Sequence, residues 1–338
     1  MIKVNAYTGG VNVPSARYRI RQLIPFLRLE NIDVHELISM SGVYPPDNKF
    51  KRPIWAIQNI LENACKVLID KESDVVLFQR ELFSKFKTFE TFYSKPKLFD
   101  VDDSIHLYRQ GVFTKKIALK MDGIICGNDY LANWYSQWNK NVTIIPTAVN
   151  VSLYDIISEK SPSQKIQIIW SGSSSGLKFL YDIENALQIV LDRNSNVQLV
   201  VVSNKSPQFT LLKENQYKYI RWTPENEFSS IKHADIGIMP ILDDDWGRGK
   251  CSYKMLCYMA AKLPVVVSPY GMNFQVLKES EVGFGPKNIS EWVDTLEELI
   301  QSNILRKKIG ENGYNLIKKK YDVNIVSLML AQSIYKVK

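Results

Sequence analysis

Short strand-like runs alternate with longer stretches of helical period along the whole chain. In the first half the strand-like runs are 2–7, 74–78, 97–99, 123–126 and 142–145. Between them, residues 15–29 put Ile20, Leu23, Ile24 and Leu27 on one helical face and Arg17, Arg21 and Arg28 on another. Residues 55–69 carry an apolar stripe through Ile57, Ile60, Leu61, Ala64, Val67 and Leu68. Such alternation predicts an α/β protein, a parallel sheet with amphipathic helices covering both faces.

After Asn150 the period is lost, and the polar stretch 159–165 reads as an interdomain linker. The alternation then restarts, with strands at 166–171, 197–202, 217–222, 235–239 and 265–268. Helices are expected at 177–191, 226–233 and 251–261, and the tail from Trp292 reads as largely helical. Two Rossmann-like domains in tandem follow, facing each other across a ligand cleft. Their expected bounds are 1–155 and 156–320, with 321–338 as a terminal helix. In such sheets ligands bind beyond the carboxyl ends of the strands.

Composition sharpens this. A chain of 338 residues fits two domains, and 45% hydrophobic with 23% charged residues is ordinary for a globular protein. The net charge is +8, but residues 1–150 hold 20 basic and 15 acidic side chains, leaving 23 and 20 for the rest. Charge this diffuse makes no arm for nucleic acid and points to anionic ligands or an anionic membrane surface. Cys65, Cys126, Cys251 and Cys257 lack paired spacing, and the three His are scattered, so no zinc site is expected. Reduced, buried thiols fit a cytoplasmic protein. No secretory leader and no membrane-spanning run are read.

Four segments carry candidate chemistry. In the first, Gly9 and Gly10 follow the opening strand and allow close approach of backbone to a ligand, or a plain turn. The second, Asp100, Asp102 and Asp103 at the end of a strand, crowds carboxylates that need a cation, a proton or a hydroxyl-bearing ligand. Three readings stand: a metal-chelating pair carrying a diphosphate, a carboxylate with His106 handling sugar hydroxyls or a proton, and a solvated turn. In the third, a strand runs into a Gly/Ser loop in which Gly172, Ser173 and Gly176 precede Lys178, a point charge for a phosphate. It lacks the ending of a P-loop.

The fourth is the strongest. Residues 234–240 form a strand ending in Pro240, and an acidic loop with Asp243, Asp244 and Asp245 follows. The turn Gly247-Arg248-Gly249-Lys250 then delivers Ser252 and Tyr253 to a helix start, with Lys254 beside them. Helix amides together with Arg248, Lys250 and Lys254 make a cradle for a diphosphate. The competing reading is a solvated helix face.

These segments resemble the GT-B-fold glycosyltransferases, specifically the retaining family 4, or glycosyl transferases group 1. The specific matches are His233-Ala-Asp-Ile-Gly-Ile-Met-Pro240 and Tyr258-Met-Ala-Ala-Lys-Leu-Pro-Val-Val. Supporting ones are Gly9-Gly10, the run from Asp122 to Leu131, Ile144-Ile-Pro-Thr-Ala-Val-Asn150 and Trp170-Ser-Gly-Ser. One departure is clear: where the family carries two glutamates eight residues apart, this chain has Gly249 and Cys257. Asp244, Asp245 and Lys254 are then candidates for sugar and ribose recognition.

The resemblance implies transfer of a sugar from a nucleotide-sugar donor, with retained anomeric configuration and without a metal or other cofactor. It suggests a glycan or lipid-linked glycan acceptor in surface polysaccharide synthesis, and phosphate contacts from the amides of Ser252 and Tyr253. Donor contacts are expected from Gly10, Gly172, Ser173, Lys178, Arg248, Lys250, Ser252, Tyr253 and Lys254. Lys178, Arg248, Lys250 and Lys254 would stabilise the leaving diphosphate. Asp103 or His106 would face the acceptor hydroxyl, and Asp102 and Arg17 would bind the acceptor. The basic helix with Arg17, Arg19, Arg21 and Arg28 faces either a lipid phosphate at the inner membrane surface or solvent. Two other classes compete: a nucleotide-sugar epimerase of the same fold, which needs no acceptor, and a non-catalytic nucleotide-sugar-binding homologue. Neither domain has the complete dinucleotide fingerprint of a dehydrogenase.

Overall fold

The computed structural model describes residues 1–11, 13–42, 45–69, 72–83, 89–155 and 165–338. The linker expected at 159–165 lies, up to residue 164, outside the described residues. The chain divides into two compact units. Unit 1 comprises Met1–Ala148, Arg248–Cys251 and Val323–Lys338; unit 2 comprises Val149–Gly247 and Ser252–Asp322.

Unit 1 is built on β1 (Ile2–Thr8), β2 (Ile32–Ile38), β3 (Val75–Gln79), β4 (Lys97–Val101), β5 (Gly123–Cys126) and β6 (Val142–Ile144). They form one parallel sheet in the order β2-β1-β3-β4-β5-β6. The register pairs Val4 with Val34 and Val75, and Phe99 with Ile124. Burial on both faces explains why β3 reads as an unbroken apolar run. Edge strand β2, Ile-Asp-Val-His-Glu-Leu-Ile, alternates instead, and the sequence reading passed over it. The core joins Ala6, Leu77, Leu98 and Ile125 to Leu23 and Leu27, and to Val326, Leu330 and Ile334 of the C-terminal helix Val323–Val337. Each Leu, Ile or Val side chain among them contributes roughly 1.5–3 kcal/mol on burial.

Unit 2 contains β7 (Ile166–Ser171), β8 (Val197–Ser203), β9 (Tyr217–Arg221), β10 (Ile236–Met239), β11 (Val265–Val267) and β12 (Gly283–Phe284). This second parallel sheet runs β12-β11-β10-β7-β8-β9. Its core packs Ile168, Leu199, Ile236 and Val266 with Leu180, Leu187, Trp292 and Leu296 from the covering helices. Helix Pro224–His233 starts with Pro at its first turn and with the Thr223 side chain accepting the Asn226 N–H, a standard N-cap.

In each sheet the strand order reverses once, beside β1 and β3 in unit 1 and beside β7 and β10 in unit 2. Switch points of this kind open a crevice at the carboxyl ends of the strands.

The structure changes two helical expectations. Residues 15–29 do not form one helix but a π-helical turn (Ala16–Ile20), a 3-10 turn (Arg21–Leu23) and a short α-helix (Ile24–Leu29). In the helix Arg52–Ile69 the apolar stripe does not face the sheet: Ile57, Ile60 and Leu61 are exposed. Its polar residues face inward because they bond to the loop at 40–42.

Candidate active site

Residues with chemistry gather at the carboxyl ends of both sheets. In unit 1, β4 ends at Val101, so Asp100 lies inside the sheet and Asp102 and Asp103 just beyond it. Asp100 is 3% exposed and pairs with Arg19, which is 4% exposed. Arg19 Nε donates to both Asp100 oxygens at 3.2 and 3.1 Å, and Nη1 donates to the Ile145 carbonyl at 2.7 Å. Burial opposes the Arg19 charge, but Asp100 more than offsets it and holds the guanidinium above its ordinary pKa.

Arg80 follows β3 in a left-handed conformation, with φ of 64°. A non-glycine residue held there is strained, and strain of this kind collects at functional sites. Its Nε donates to Asp102 Oδ1 at 2.7 Å and its Nη2 to Asp103 Oδ2 at 3.3 Å. Burial pushes the Asp102 carboxyl up, while Arg80 and Arg19 pull it below the ordinary value. Lys250 Nζ donates to the two Asp103 oxygens at 3.0 and 3.1 Å. The three carboxylates are therefore neutralised by cations of the same unit, and neither Asp100 nor Asp103 belongs to a solvated turn.

The segment Arg248–Cys251 is fixed in unit 1 by its backbone and by packing. Asn128 caps the helix Asp129–Tyr135 through Oδ1 and donates through Nδ2 to the Lys250 carbonyl at 3.1 Å. The Cys251 thiol donates to the Asp102 carbonyl at 3.1 Å. A β-carbon at Gly249 would stand 1.9 Å from Ser104 Oγ. Any side chain at 249, a glutamate included, requires Ser104 to move. His106 is 4% exposed and stacks on Trp134 at 4.7 Å, within a cluster that includes Tyr130 and Tyr135.

In unit 2, β7 ends with Trp170 and Ser171 and leads to Gly172, and helix Tyr253–Ala260 starts beside it. A β-carbon at Gly172 would lie 2.6 Å from Lys254 Nζ, which stands 5.1 Å from the centroid of the buried Trp170 ring. Glycine is thus what lets this ammonium reach the end of the strand. Ser252 precedes the helix with φ of 50°, and its hydroxyl donates to Asn273 Oδ1 at 2.6 Å. Asn273 in turn donates to the Ser268 carbonyl at 3.0 Å. The helix start is therefore held by a buried polar chain.

Glu227, from helix Pro224–His233, accepts from Ser171 Oγ and, at 3.0 Å, from Trp222 Nε1. Burial first, and then the Glu227 charge, push the Cys257 thiol up to about 12 against hydrogen bonds from Tyr253 and Tyr154. Cys257 stays a neutral, inert thiol at physiological pH.

The predicted residues are thus distributed as follows. Asp102, Asp103, Lys250 and the exposed Arg248 belong to unit 1, and Ser252, the half-buried Tyr253 and Lys254 belong to unit 2. Of the three cations expected to form one cradle, Lys250 is drawn to Asp103 within unit 1 and Lys254 lies against Trp170 and Gly172 within unit 2. Lys178 and Ser173 are exposed, with Lys178 Nζ 4.8 Å from the Phe179 ring and Ser173 bonded to Ser175. Gly10 follows β1 with φ of 150°, and Arg17 is half-buried, its guanidinium 5.1 Å from the Tyr18 ring. Asp244 bonds the Gly247 N–H at 2.6 Å, and Asp245 is exposed. The basic helix does not present its arginines as one face: Arg19 is buried, and Arg21 pairs with Glu36 at 2.7 Å. Sequence reasoning missed Arg80, Asn128 and Glu227. The signal for Arg80 was its place at the end of β3; Glu227 sat within a helix with nothing local to distinguish it.

Residues 167–302 match the family Glycosyl transferases group 1. No curated protein sequence matches the chain. Among solved structures, HepE from Anabaena, in complex with UDP and glucose, is similar with a TM-score of 0.72 at 14% identity, covering 99% of this chain and 100% of that one. Sucrose-phosphate synthase from Thermosynechococcus elongatus gives 0.71 at 12% identity, covering 99% and 98%. WaaG, a glycosyltransferase involved in lipopolysaccharide biosynthesis, gives 0.67 at 12% identity, covering 98% and 99%. The chain has the GT-B fold, and the stretch that matches the group 1 glycosyltransferases takes in most of unit 2 together with the segment Arg248–Cys251 of unit 1.

Proposed function

We propose that the protein transfers a sugar from a nucleotide-sugar donor bound by unit 2 to a hydroxyl of an acceptor bound by unit 1. The observation that carries this is the coincidence of the group 1 match with the unit 2 switch point, where Lys254 lies against Gly172 and Trp170. An ammonium at the end of a parallel strand and the start of a helix is suited to a diphosphate. As the bond to the sugar breaks, negative charge grows on that diphosphate, and Lys254 would stabilise it, with Lys178 as a second, outer cation. Ser252 and Tyr253 would contribute backbone amides, and Gly172 and Ser173 the loop around the phosphates.

Glu227 takes over part of the recognition that Gly249 and Cys257 cannot supply. Its two bonds to Ser171 and Trp222 leave acceptor capacity for a donor hydroxyl. In unit 1, Asp103 and Asp102, oriented by Lys250 and Arg80, would receive the acceptor hydroxyl, with Gly10 and Arg17 along the same sheet end. Retention and a metal-free reaction complete the reading. The neutralisation of Asp100, Asp102 and Asp103 by Arg19, Arg80 and Lys250 supports the second. The complex of HepE with UDP and glucose makes UDP-sugars the first donors to try, and WaaG directs attention to glycan or lipid-linked glycan acceptors. We place the protein in the cytoplasm, at the inner face of the membrane.

The missing paired glutamates favour one second reading, a homologue that binds nucleotide sugar without turnover. A panel of UDP-, GDP- and dTDP-sugars in a thermal-shift assay, followed by turnover with glycan acceptors in EDTA, separates the two. One donor should raise the melting temperature and be consumed only with acceptor, giving a product of retained configuration by NMR. Binding without turnover on every acceptor tested would select the second reading, and the absence of any donor shift would overturn both.

A further inference from the structure

The helix Arg52–Ile69 of unit 1 is amphipathic in the inverted sense. Its protein-facing side is polar. Asn59 and Asn63 are 0% and 2% exposed, and Asn59 Nδ2 donates to the Gly42 carbonyl at 3.0 Å. Glu62 accepts from the Met40 and Ser41 N–H groups at 2.9 and 3.0 Å and from Lys66 at 2.6 Å. The outward side is apolar: Ile54, Ile57 and Leu61 are 61%, 59% and 60% exposed, and Phe50, in the turn before the helix, 91%. Steps of three and four residues set these side chains in one row. A contiguous apolar row held in water marks an interaction surface.

The charges beside the row identify what it meets. Lys49, Lys51 and Arg52 are exposed at its N-terminal end. The helix has one acid, Glu62, and that side chain is bound inward; among the described residues the exposed acids flanking it are Asp47 before its N-terminal end and Glu72 beyond its C-terminal end. A second copy of the chain would bring these cations against a face with no outward carboxylate on the helix to receive them. An anionic surface receives all three. Among the described residues no helix is long and apolar enough to cross a membrane.

We propose that this helix is a peripheral docking element that lies in the interface of an anionic phospholipid bilayer. Phe50, Ile54, Ile57 and Leu61 enter the acyl boundary while Lys49, Lys51 and Arg52 contact headgroup phosphates. The proposal stands on unit 1 alone and is independent of the donor reading. It also replaces the segment 15–29 as the membrane-facing element, since Arg19 and Arg21 there are engaged by Asp100 and Glu36.

Cys65 is exposed while Cys126, Cys251 and Cys257 are buried, so a polarity-sensitive fluorophore on Cys65 reports on this helix in the full-length protein. The probe is a vesicle of phosphatidylcholine with about one-third phosphatidylglycerol, against phosphatidylcholine alone. The dye should shift to the blue, and the protein should co-sediment about tenfold better with the anionic vesicles, less so at high salt. Ile57→Asp/Leu61→Asp should abolish binding, and Lys49→Gln/Lys51→Gln, which leaves the apolar row intact, should weaken it several-fold. Each variant is checked for an unchanged thermal melt and an unchanged response to donor. Binding equal on both vesicle types or unaffected by either variant would overturn the proposal, as would a dimer in solution that Ile57→Asp/Leu61→Asp dissolves.

Discussion

The carboxyl ends of the two sheets solve the same problem of placing charge in opposite ways. In unit 1 three cations meet carboxylates: Arg19 with Asp100, Arg80 with Asp102 and Asp103, Lys250 with Asp103. In unit 2 the principal cation, Lys254, lies on an aromatic ring and a glycine backbone. A saturated ion network mainly fixes geometry, because exchanging its partners for an incoming anion costs more than it returns. An ammonium beside a strand end and a helix start is suited to a phosphate. Under the proposed function, unit 1 would position the acceptor and unit 2 would stabilise the leaving charge.

The strongest way to break this comparison is to open the unit 1 network. Asp100→Asn leaves the Arg19 guanidinium buried without its counterion, and urea denaturation should show a loss of about 3–5 kcal/mol. A loss below about 1 kcal/mol would mean that water or Asp102 compensates, and that the network is not closed. Next in size, Gly249→Ala forces a β-carbon onto Ser104 Oγ and should cost about 1–3 kcal/mol, partly restored by adding Ser104→Ala. Equal stability with and without Ser104→Ala would show that the segment Arg248–Cys251 is not packed tightly.

A smaller effect concerns acid. Burial raises the Glu62 carboxyl, but hydrogen bonds from Lys66, Ser41 and Met40 bring it down to about 2 from an ordinary 4.5. The folded value is depressed, so the stabilisation is complete above pH 4.5 and fades as pH falls toward 2. Allowing for solvent screening it is on the order of 2 kcal/mol. Protection of the Met40 and Ser41 amides, taken relative to intrinsic exchange at each pH, should fall as pH drops through that window in the native protein, and in Glu62→Gln it should be low throughout and independent of pH.

These contrasts also explain what the sequence could disclose. Strands buried on both faces, such as β3, β8 and β11, are continuous apolar runs, and a parallel α/β fold follows from them directly. Edge strand β2 alternates and lacks that signature. For the helix Arg52–Ile69 the period gives the stripe but not its direction, which depends on bonds from Asn59 and Glu62 to a loop about twenty residues away. The candidate site was legible where its geometry is local, as in the glycine beside β7 and the helix start at Ser252. It was hidden where partners are distant, since Arg19 and Asp100 are 81 residues apart and Lys250 and Asp103 are 147 apart.

Calorimetric titration of a UDP-sugar into the wild-type protein and Lys254→Ala, with Lys250→Ala alongside, tests the central claim most directly. The account predicts that Lys254→Ala weakens donor binding about tenfold, or ~1.4 kcal/mol, while Lys250→Ala changes it by less than about twofold. Unchanged donor affinity in Lys254→Ala, or a larger loss in Lys250→Ala, would contradict it.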